Sequence, residues 1–262
     1  MLTFLEGLGR RTVRGIEELG YHAALFAESI YWLVWGKRIG QPVRNNHVVK
    51  EMVSVGINAL PIITVLSFSI GIMLAIQGIH TLKTFGAQNQ VVLGIALSVT
   101  REFAPLIVAI LVAGRSGSAF AARIGTMKIS QELDALKVMG INPVRYLLAP
   151  ALLAMLVMVP TVTFFADLVG LLGGGLYSAA ELGIGLDVYW ERTLDVLDPE
   201  DLMQGLVKSV LFAVMISLIS AANGFSVSGG AEGVGRATTR AVVMSIAAIL
   251  VTDMLFTYFM NQ

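Results

Sequence analysis

The 262-residue sequence is 56% hydrophobic and 14% charged, with a mean hydropathy of +0.77 and no net formal charge. Soluble domains carry about 25% charged residues, so this composition excludes an ordinary soluble protein. The zero net charge gives no reason to expect a nucleic acid partner, and the absence of Cys excludes disulfides and thiolate metal sites. We therefore predict one all-α integral membrane domain over residues 1–262.

The first 50 residues are predicted to form interfacial and elbow helices on the membrane. One helical face is largely apolar and the other side is charged, as in helices that lie in the interface plane. The apolar face comprises Leu5, Leu8, Thr12, Ile16 and Leu19, and the charged residues are Arg10, Arg11, Arg14, Glu17 and Glu18. The next segment, Tyr21 to Trp35, has only 15 residues, but its aromatic side chains suit the membrane interface.

Five apolar segments then predict a five-span bundle over residues 52–260. Each is close to or longer than the roughly 20 residues that a helix needs to cross the hydrocarbon core. The predicted spans are 52–79, 91–113, 146–180, 206–223 and 241–260. Residues 181–200 are net acidic and are expected to form an outward-facing loop with a short surface helix.

The positions of Lys and Arg predict the orientation of the bundle. Fourteen of these 18 residues lie before the first span, between the second and third, or between the fourth and fifth. Because basic residues concentrate on the cytoplasmic side, we expect a cytoplasmic N-terminus and a C-terminus on the outer side of the membrane.

Residues 126–140, TMKISQELDALKVMG, predict a short amphipathic helix on the cytoplasmic side, between the second and third spans. The spacing of Ile129, Leu133, Leu136 and Met139 places them on one helical face. Ser130 is the expected N-cap, and Gly140 is expected to end the helix.

Small residues recur every four positions in two spans. They are Ala113, Gly117, Ala121 and Gly125, which follow from the cytoplasmic end of the second span, and Gly170 and Gly174 in the third. Such stripes allow helices to approach closely in lipid. Packing inside the bundle is the favoured interpretation, and a seam between two copies is the alternative.

Two motifs suggest catalysis, and neither has the residues that it needs. The sequence Gly114 to Gly117 matches the GxSG of intramembrane serine proteases, but all three His residues precede it, whereas those proteases place the base later. The Gly-rich segment 229–239 lacks GK[ST] and a preceding strand, so we expect a flexible cytoplasmic loop there that ends in a Thr-capped helix. We therefore predict no catalytic residue, no metal site and no nucleotide site in this chain.

Five ionisable residues lie within the predicted spans, where an isolated charge costs about 2.5–3.5 kcal/mol. They are Arg101, Glu102, Asp167, Lys208 and Asp253. Salt bridges between helices, or snorkelling in the case of Lys208, would explain them structurally. Alternatively, Arg101, Glu102 and Lys208 hold a charged headgroup. A proton relay through the two Asp residues, as in a proton-coupled secondary transporter, lacks a third member.

Several long motifs resemble the MlaE (YrbE) family of ABC-transporter permeases. The longest is AGRSGSAFAARIGTMKISQELDALKVMGINPVRYLLAP at residues 113–150. Further matches are REFAPL at 101–106, LVKSVLF at 206–212, and NGF at 223–225 followed by GVGRATTRAVV. The resemblance covers nearly the whole chain.

This resemblance implies a multi-pass protein of the bacterial inner membrane that moves phospholipid to or from the periplasm and maintains outer-membrane lipid asymmetry. The outer side of the membrane, with the loop at residues 181–200 and the C-terminus, would then be the periplasm. The implied partners are a second copy of the chain, a cytoplasmic ABC ATPase that binds the ATP, a STAS-domain subunit and a periplasmic MCE-domain hexamer. No cofactor is expected in this chain.

The resemblance also assigns roles to residues. It implies an ATPase-coupling role for Gln131, Glu132, Leu133 and Leu136, and a headgroup role for Arg101, Glu102 and Lys208. A phospholipid also needs an apolar surface for its tails. We expect Leu74, in the uncharged first span, to line that surface and Phe85 to lie at its outer mouth.

Overall fold

The computed structural model describes residues 2–87 and 90–260, with the backbone alone for residues 2–12 and 14. All regular elements in these ranges are helices. The α-helices are α1 (Leu2–Trp35), α2 (Asn45–Val55), α3 (Leu60–Lys83), α4 (Val91–Ser98), α5 (Ala104–Val112), α6 (Ser118–Ile129), α7 (Glu132–Val138), α8 (Ala149–Leu182), α9 (Leu186–Val196), α10 (Pro199–Phe225) and α11 (Gly230–Met260). The all-α membrane fold predicted from composition is confirmed.

Five helical segments of the described chain are long and apolar enough to cross a membrane. They are Asn45–Lys83, Val91–Ile129, Val144–Leu182, Pro199–Phe225 and Gly230–Met260, numbered here as spans one to five. Each is longer than the apolar segment that predicted it, because charged residues near the ends do not interrupt the helical backbone. The Gly-rich segment 229–239, expected to be a flexible loop, is helical from Gly230 onward.

The N-terminal region forms one 34-residue helix, α1, rather than separate segments before and after Tyr21. Within the predicted apolar face, Ile16 and Leu19 are exposed, as expected for a surface that no protein element covers. The side chains of Leu5, Leu8 and Thr12 lie outside the described residues.

Three spans contain non-α turns directly before a proline. A 3₁₀ turn precedes Pro61, and π-helical turns precede Pro105 and Pro150. These turns are Ile57–Ala59, Val99–Phe103 and Val144–Leu148. Proline has no N–H and its ring clashes with the carbonyl four residues earlier, so a turn of different pitch accommodates it without ending the span.

Glycines bring the backbones of α3 and α8 into close contact. A Cβ atom on Gly71 would lie 1.9 Å from the carbonyl oxygen of Gly170, and one on Gly173 would lie 2.4 Å from that of Phe68. A Cβ on Gly174 would lie 2.8 Å from the side chain of Ile95. The small residues of α8 therefore serve packing inside the bundle, as the favoured interpretation predicted.

The short helix predicted within residues 181–200 is confirmed as α9, and it docks on α8 through Tyr189. The Tyr189 side chain is fully buried, and its hydroxyl donates a hydrogen bond to the carbonyl oxygen of Leu171 at 3.0 Å. Burial raises the pKa of the phenol to about 12, so it remains a neutral donor at physiological pH. Chain connectivity places α9 at one end of the bundle and α7 at the other; we call these the α9 end and the α7 end.

Replacing Gly71 by Ala should destabilise the protein. The added methyl group meets backbone atoms of α8, which cannot move aside as a flexible side chain would, and overpacking of this kind costs about 1–3 kcal/mol. Thermal unfolding of the purified chain in detergent measures the loss. Gly94→Ala is the matched control, because no atom lies within 4 Å of the added Cβ. Equal unfolding temperatures for the two variants would contradict the assigned packing.

Candidate functional site

An ion-pair network connects spans two, four and five, with Lys208 at its centre. The Lys208 side chain is only 2% exposed. Its Nζ lies 2.6 Å from Oε2 of Glu102 and 2.9 Å from Oδ1 of Asp253. It also donates a hydrogen bond to Oγ1 of Thr257 at 2.8 Å. Three oxygens thus surround an ammonium group that has three protons to donate.

The same threonine closes the network. The Thr257 hydroxyl donates to Oε1 of Glu102 at 3.0 Å while it accepts from Lys208. The Asp253 carboxylate faces the ammonium without hydrogen-bond geometry, so this contact is chiefly electrostatic. Lys208 is therefore paired within the bundle rather than extended toward the interface, which makes the snorkelling interpretation wrong.

A second ion pair joins spans two and four. Nε of Arg101 donates to Oδ1 of Asp201 at 2.7 Å, and a terminal guanidinium nitrogen contacts the same oxygen. The other carboxylate oxygen of Asp201 accepts from the backbone N–H of Asp198 at 3.0 Å, as part of the capping box of α10. Asp201 thus both caps its helix and holds Arg101.

Local helix geometry explains how two adjacent residues of span two engage one neighbouring helix. Arg101 and Glu102 lie in the π-helical turn Val99–Phe103, which widens the helix at this point. Their partners Asp201 and Lys208 are seven residues apart on α10 and so lie on one face of it, two turns apart. π-Helical turns often occur at functional sites.

The network has a buried side and an accessible side. Asp201 and Lys208 are almost fully buried, whereas the side chains of Arg101 and Glu102 are 35% and 36% exposed. The accessible part is therefore a guanidinium and a carboxylate next to each other on span two. Adjacent groups of opposite charge can bind a zwitterion, or they can bind a phosphate through the cation alone.

The remaining residues predicted to contact lipid lie outside this network. Leu74 is partly buried and packs against the main apolar core. Phe85 lies in the turn after α3 and is 78% exposed. Asp167 is buried in α8, and within the described chain its Oδ1 has no hydrogen-bond partner. It is not part of the Lys208 network that contains Asp253, so the contacts provide no proton relay between the two Asp residues.

Ser116, the serine of the GxSG motif, is buried, and among the described residues its hydroxyl has no hydrogen-bond partner. Among the described residues, no group of three or more His, Asp or Glu side chains could hold a metal ion.

The predicted amphipathic helix at 126–140 is shorter than expected. Span two continues to Ile129, Gln131 adopts a left-handed φ of 61°, and α7 covers only Glu132–Val138. The Ser130 hydroxyl hydrogen-bonds the Glu132 carboxylate at 2.7 Å and does not cap the helix, so the N-cap prediction is wrong. Gly140, at φ 73°, follows the helix as predicted.

The two faces of α7 differ sharply in burial. Leu133 and Leu136 are buried in an apolar cluster with residues of spans two, three and four. Ile129 and Met139, predicted to lie on the same face as these leucines, are exposed. The left-handed turn at Gln131 separates Ile129 from α7, and Met139 lies after the last residue of α7. Gln131 and Glu132 are exposed as well, and so is Val138, at 88%, which sequence reasoning did not single out.

Replacing Lys208 by Met should destabilise the chain by about 3–5 kcal/mol, because it leaves Glu102 and Asp253 without their cation. Adding Asp253→Asn to the same chain should recover part of the loss. Denaturant unfolding in micelles measures both changes, with the exposed Lys137→Met as control. An additive double variant would mean that Lys208 and Asp253 do not interact.

Comparison with known proteins places this bundle in a family. The model of the family described as Permease MlaE matches residues 48–259. A probable ABC transporter permease protein of Rickettsia bellii is 32% identical over 98% of this chain and 97% of its own length. The intermembrane phospholipid transport system permease protein MlaE of Haemophilus influenzae is 31% identical over 99% and 98%. The chloroplast protein trigalactosyldiacylglycerol 1 of Arabidopsis thaliana is 34% identical over 82% of this chain and 62% of its own length. The chain therefore belongs to the MlaE permease family.

Proposed function

We propose that this chain is the membrane-spanning permease subunit of an ABC transporter that moves phospholipid between the bacterial inner membrane and periplasmic carrier proteins. In this role it contributes to the lipid asymmetry of the outer membrane. Family membership and the name of the Haemophilus influenzae relative support the substrate. The structural observation that carries the proposal is the partly exposed pair Arg101 and Glu102, which interrupts the apolar stretch of span two between Val91 and Ala113.

In this proposal Arg101 binds the lipid phosphate and Glu102 faces the amine of a zwitterionic headgroup. Asp201 and Lys208 are buried behind them and hold the two side chains in place. Lys208 thus acts through Glu102 and does not contact the lipid. This arrangement gives a preorganised polar site, because the charged partners fix both side chains before a lipid arrives.

The lipid tails require more apolar space than the bundle interior offers beside this site. The cavity between α3, span two and α8 has a volume of only about 10 Å³. By contrast, α11 carries large exposed apolar side chains along most of its length, among them Leu250, Met254 and Phe259. We place the tails on the outer surface of the bundle, in a cavity that a second copy of this chain encloses, with Leu74 and Phe85 toward its α3 side.

The energy for transport has to come from another subunit, since the motifs predict no nucleotide site in this chain. We propose that a cytoplasmic ABC ATPase docks on α7, with Gln131, Glu132 and the exposed Val138 as its contact surface. Leu133 and Leu136 then act as the anchor that transmits movement of α7 to spans two, three and four. A docked partner shifts the bundle between states only if its contacts differ between them.

The distribution of Lys and Arg supports the orientation that this proposal requires. Fourteen of the 18 basic residues lie before the first predicted span or in the connections at the α7 end, and we propose that this end faces the cytoplasm. The α9 end then faces the periplasm, and the Arg101 site lies nearer to this end. An MCE-domain hexamer in the periplasm would exchange lipid with the transporter there. A STAS-domain subunit completes the proposed assembly at the cytoplasmic side.

Arg101→Ala should lower phospholipid transfer by the reconstituted transporter about tenfold, which is the order expected for the loss of one charge-assisted hydrogen bond. Transfer of a labelled phospholipid from proteoliposomes to acceptor protein measures the effect, and co-purification of the partners verifies assembly. Arg192→Ala, an exposed arginine on α9, is the matched control.

The double variant Arg101→Ala with Asp201→Asn distinguishes lipid binding from structural pairing. If Arg101 served only to neutralise Asp201, removing both charges would restore transfer. The proposal expects transfer to remain low while thermal stability recovers. Wild-type transfer in the double variant would remove Arg101 from the lipid site.

Glu132→Lys should lower ATP hydrolysis by the co-purified ATPase several-fold, because a cation replaces an exposed carboxylate on the proposed docking face. Asp195→Lys, an exposed change of the same charge at the α9 end, should have no effect. Unchanged ATP hydrolysis in Glu132→Lys, with the complex intact, would show that this face of α7 does not couple to the ATPase.

A further inference from the structure

A cleft of about 830 Å³ opens at the α7 end, between the turn after α1, the beginning of α2 and the side of α8. Its lining includes Lys37, Arg44 and Lys50, together with Trp32, Leu33 and Leu153. The Arg101 site lies toward the other end of the bundle, so this cleft is separate from it.

The three basic side chains of the cleft are exposed and have no carboxylate within 4 Å in the described part of the chain. Three other basic residues near the cleft, by contrast, each have a partner. Arg123 pairs with Glu51 at 2.5 Å, Arg240 pairs with Glu18 at 3.0 Å, and Arg145 lies over the Trp32 ring. The acidic residue nearest in sequence, Glu51, is thus already paired, and the cleft keeps an uncompensated positive charge.

The beginning of α2 adds to the positive electrostatic potential of the cleft. Asn45 and Asn46 start the helix and line the cleft, and no side chain caps the first turn. The partial positive charge of a helix N-terminus and its unpaired N–H groups attract anions. Basic side chains and a helix N-terminus therefore meet in one cavity.

The other part of the lining is apolar and lies beside a group of interfacial aromatic residues. Leu33 and Leu153 contribute apolar surface, and Trp32 forms part of the wall. Tyr31 and Trp35, next to them on α1, are stacked and exposed. Tyr and Trp concentrate at the level of lipid headgroups. A basic rim above an apolar wall at this depth suits an amphiphile better than a soluble anion.

We propose that this cleft binds an acidic phospholipid of the adjoining leaflet. Its phosphate lies among Lys37, Arg44 and Lys50, and the upper part of its acyl chains lies along Leu33 and Leu153. The bound lipid holds the elbow between α1 and α2 to the membrane. This inference does not depend on the transported substrate, because it concerns a separate site.

Trp32 provides a direct reporter of the cleft. The sequence contains three Trp residues, so the variant Trp35→Phe with Trp190→Phe leaves Trp32 as the single fluorophore. The full chain is reconstituted in phosphatidylcholine vesicles that contain either acyl-brominated phosphatidylglycerol or acyl-brominated phosphatidylcholine, each over the same series of mole fractions. We expect the acidic lipid to quench Trp32 at lower mole fraction, by about fivefold for each basic residue that contacts it.

The charge-removing variant Lys37→Gln, Arg44→Gln, Lys50→Gln should quench equally with both lipids. The control Arg38→Gln, Arg192→Gln, Arg236→Gln removes the same charge from exposed positions outside the cleft and should keep the preference. Equal quenching by the two lipids in the parent chain, or loss of the preference in the control, would overturn the proposal. Displacement of the brominated lipid by inorganic phosphate would also overturn it, because it would identify a site for soluble anions.

Native mass spectrometry of the chain without any substitution tests the same site if the variants fold poorly. Released from vesicles with equal amounts of the two lipids, the chain should retain phosphatidylglycerol in preference to phosphatidylcholine. Retention of both in the proportion supplied would contradict a selective acidic site.

Discussion

The ammonium of Lys208 lies almost without solvent exposure where spans two, four and five meet, and oxygens of Glu102, Asp253 and Thr257 surround it. A lysine in this position is tolerable only when its partners come from the surrounding helices, because lipid offers no water to solvate it. This requirement orders the three helices relative to each other. It also determines where Glu102, and with it the adjacent Arg101, is presented at the surface of the bundle.

Close helix packing and exposed apolar surface have complementary roles in this fold. Glycines at α3 and α8 let the backbones touch, which leaves little room inside the bundle for an acyl chain. The outer face of α11 remains apolar and uncovered in the single chain. Arg101 and Glu102, held by buried partners, match the polar headgroup of a phospholipid, and the apolar outer surface of α11 matches its acyl chains. The proposed lipid path therefore runs along the surface of the bundle and not through its interior.

Composition and apolar length were sufficient to predict the fold class and five spans, because a helix in lipid must satisfy its own backbone. The free-energy cost of a charge in the membrane identified Arg101, Glu102 and Lys208 as residues that need partners or a function. Sequence reasoning did not pair Lys208 with Asp253 or find Asp201, because the facing of helices depends on packing that one sequence does not reveal. The DPED segment at 198–201 indicates a capping box but not an ion pair. The apolar pattern of 126–140 wrongly placed Ile129 on the buried face of the short helix, because the left-handed backbone of Gln131 breaks the helical register.

Electron cryomicroscopy of the full transporter in nanodiscs containing phospholipid tests the central claim most directly. The account predicts density for a lipid phosphate within hydrogen-bond distance of the Arg101 guanidinium, with the acyl chains against the apolar surface between two copies of this chain. A well-resolved lipid in the transport cavity whose headgroup lies away from Arg101 and Glu102 would contradict it.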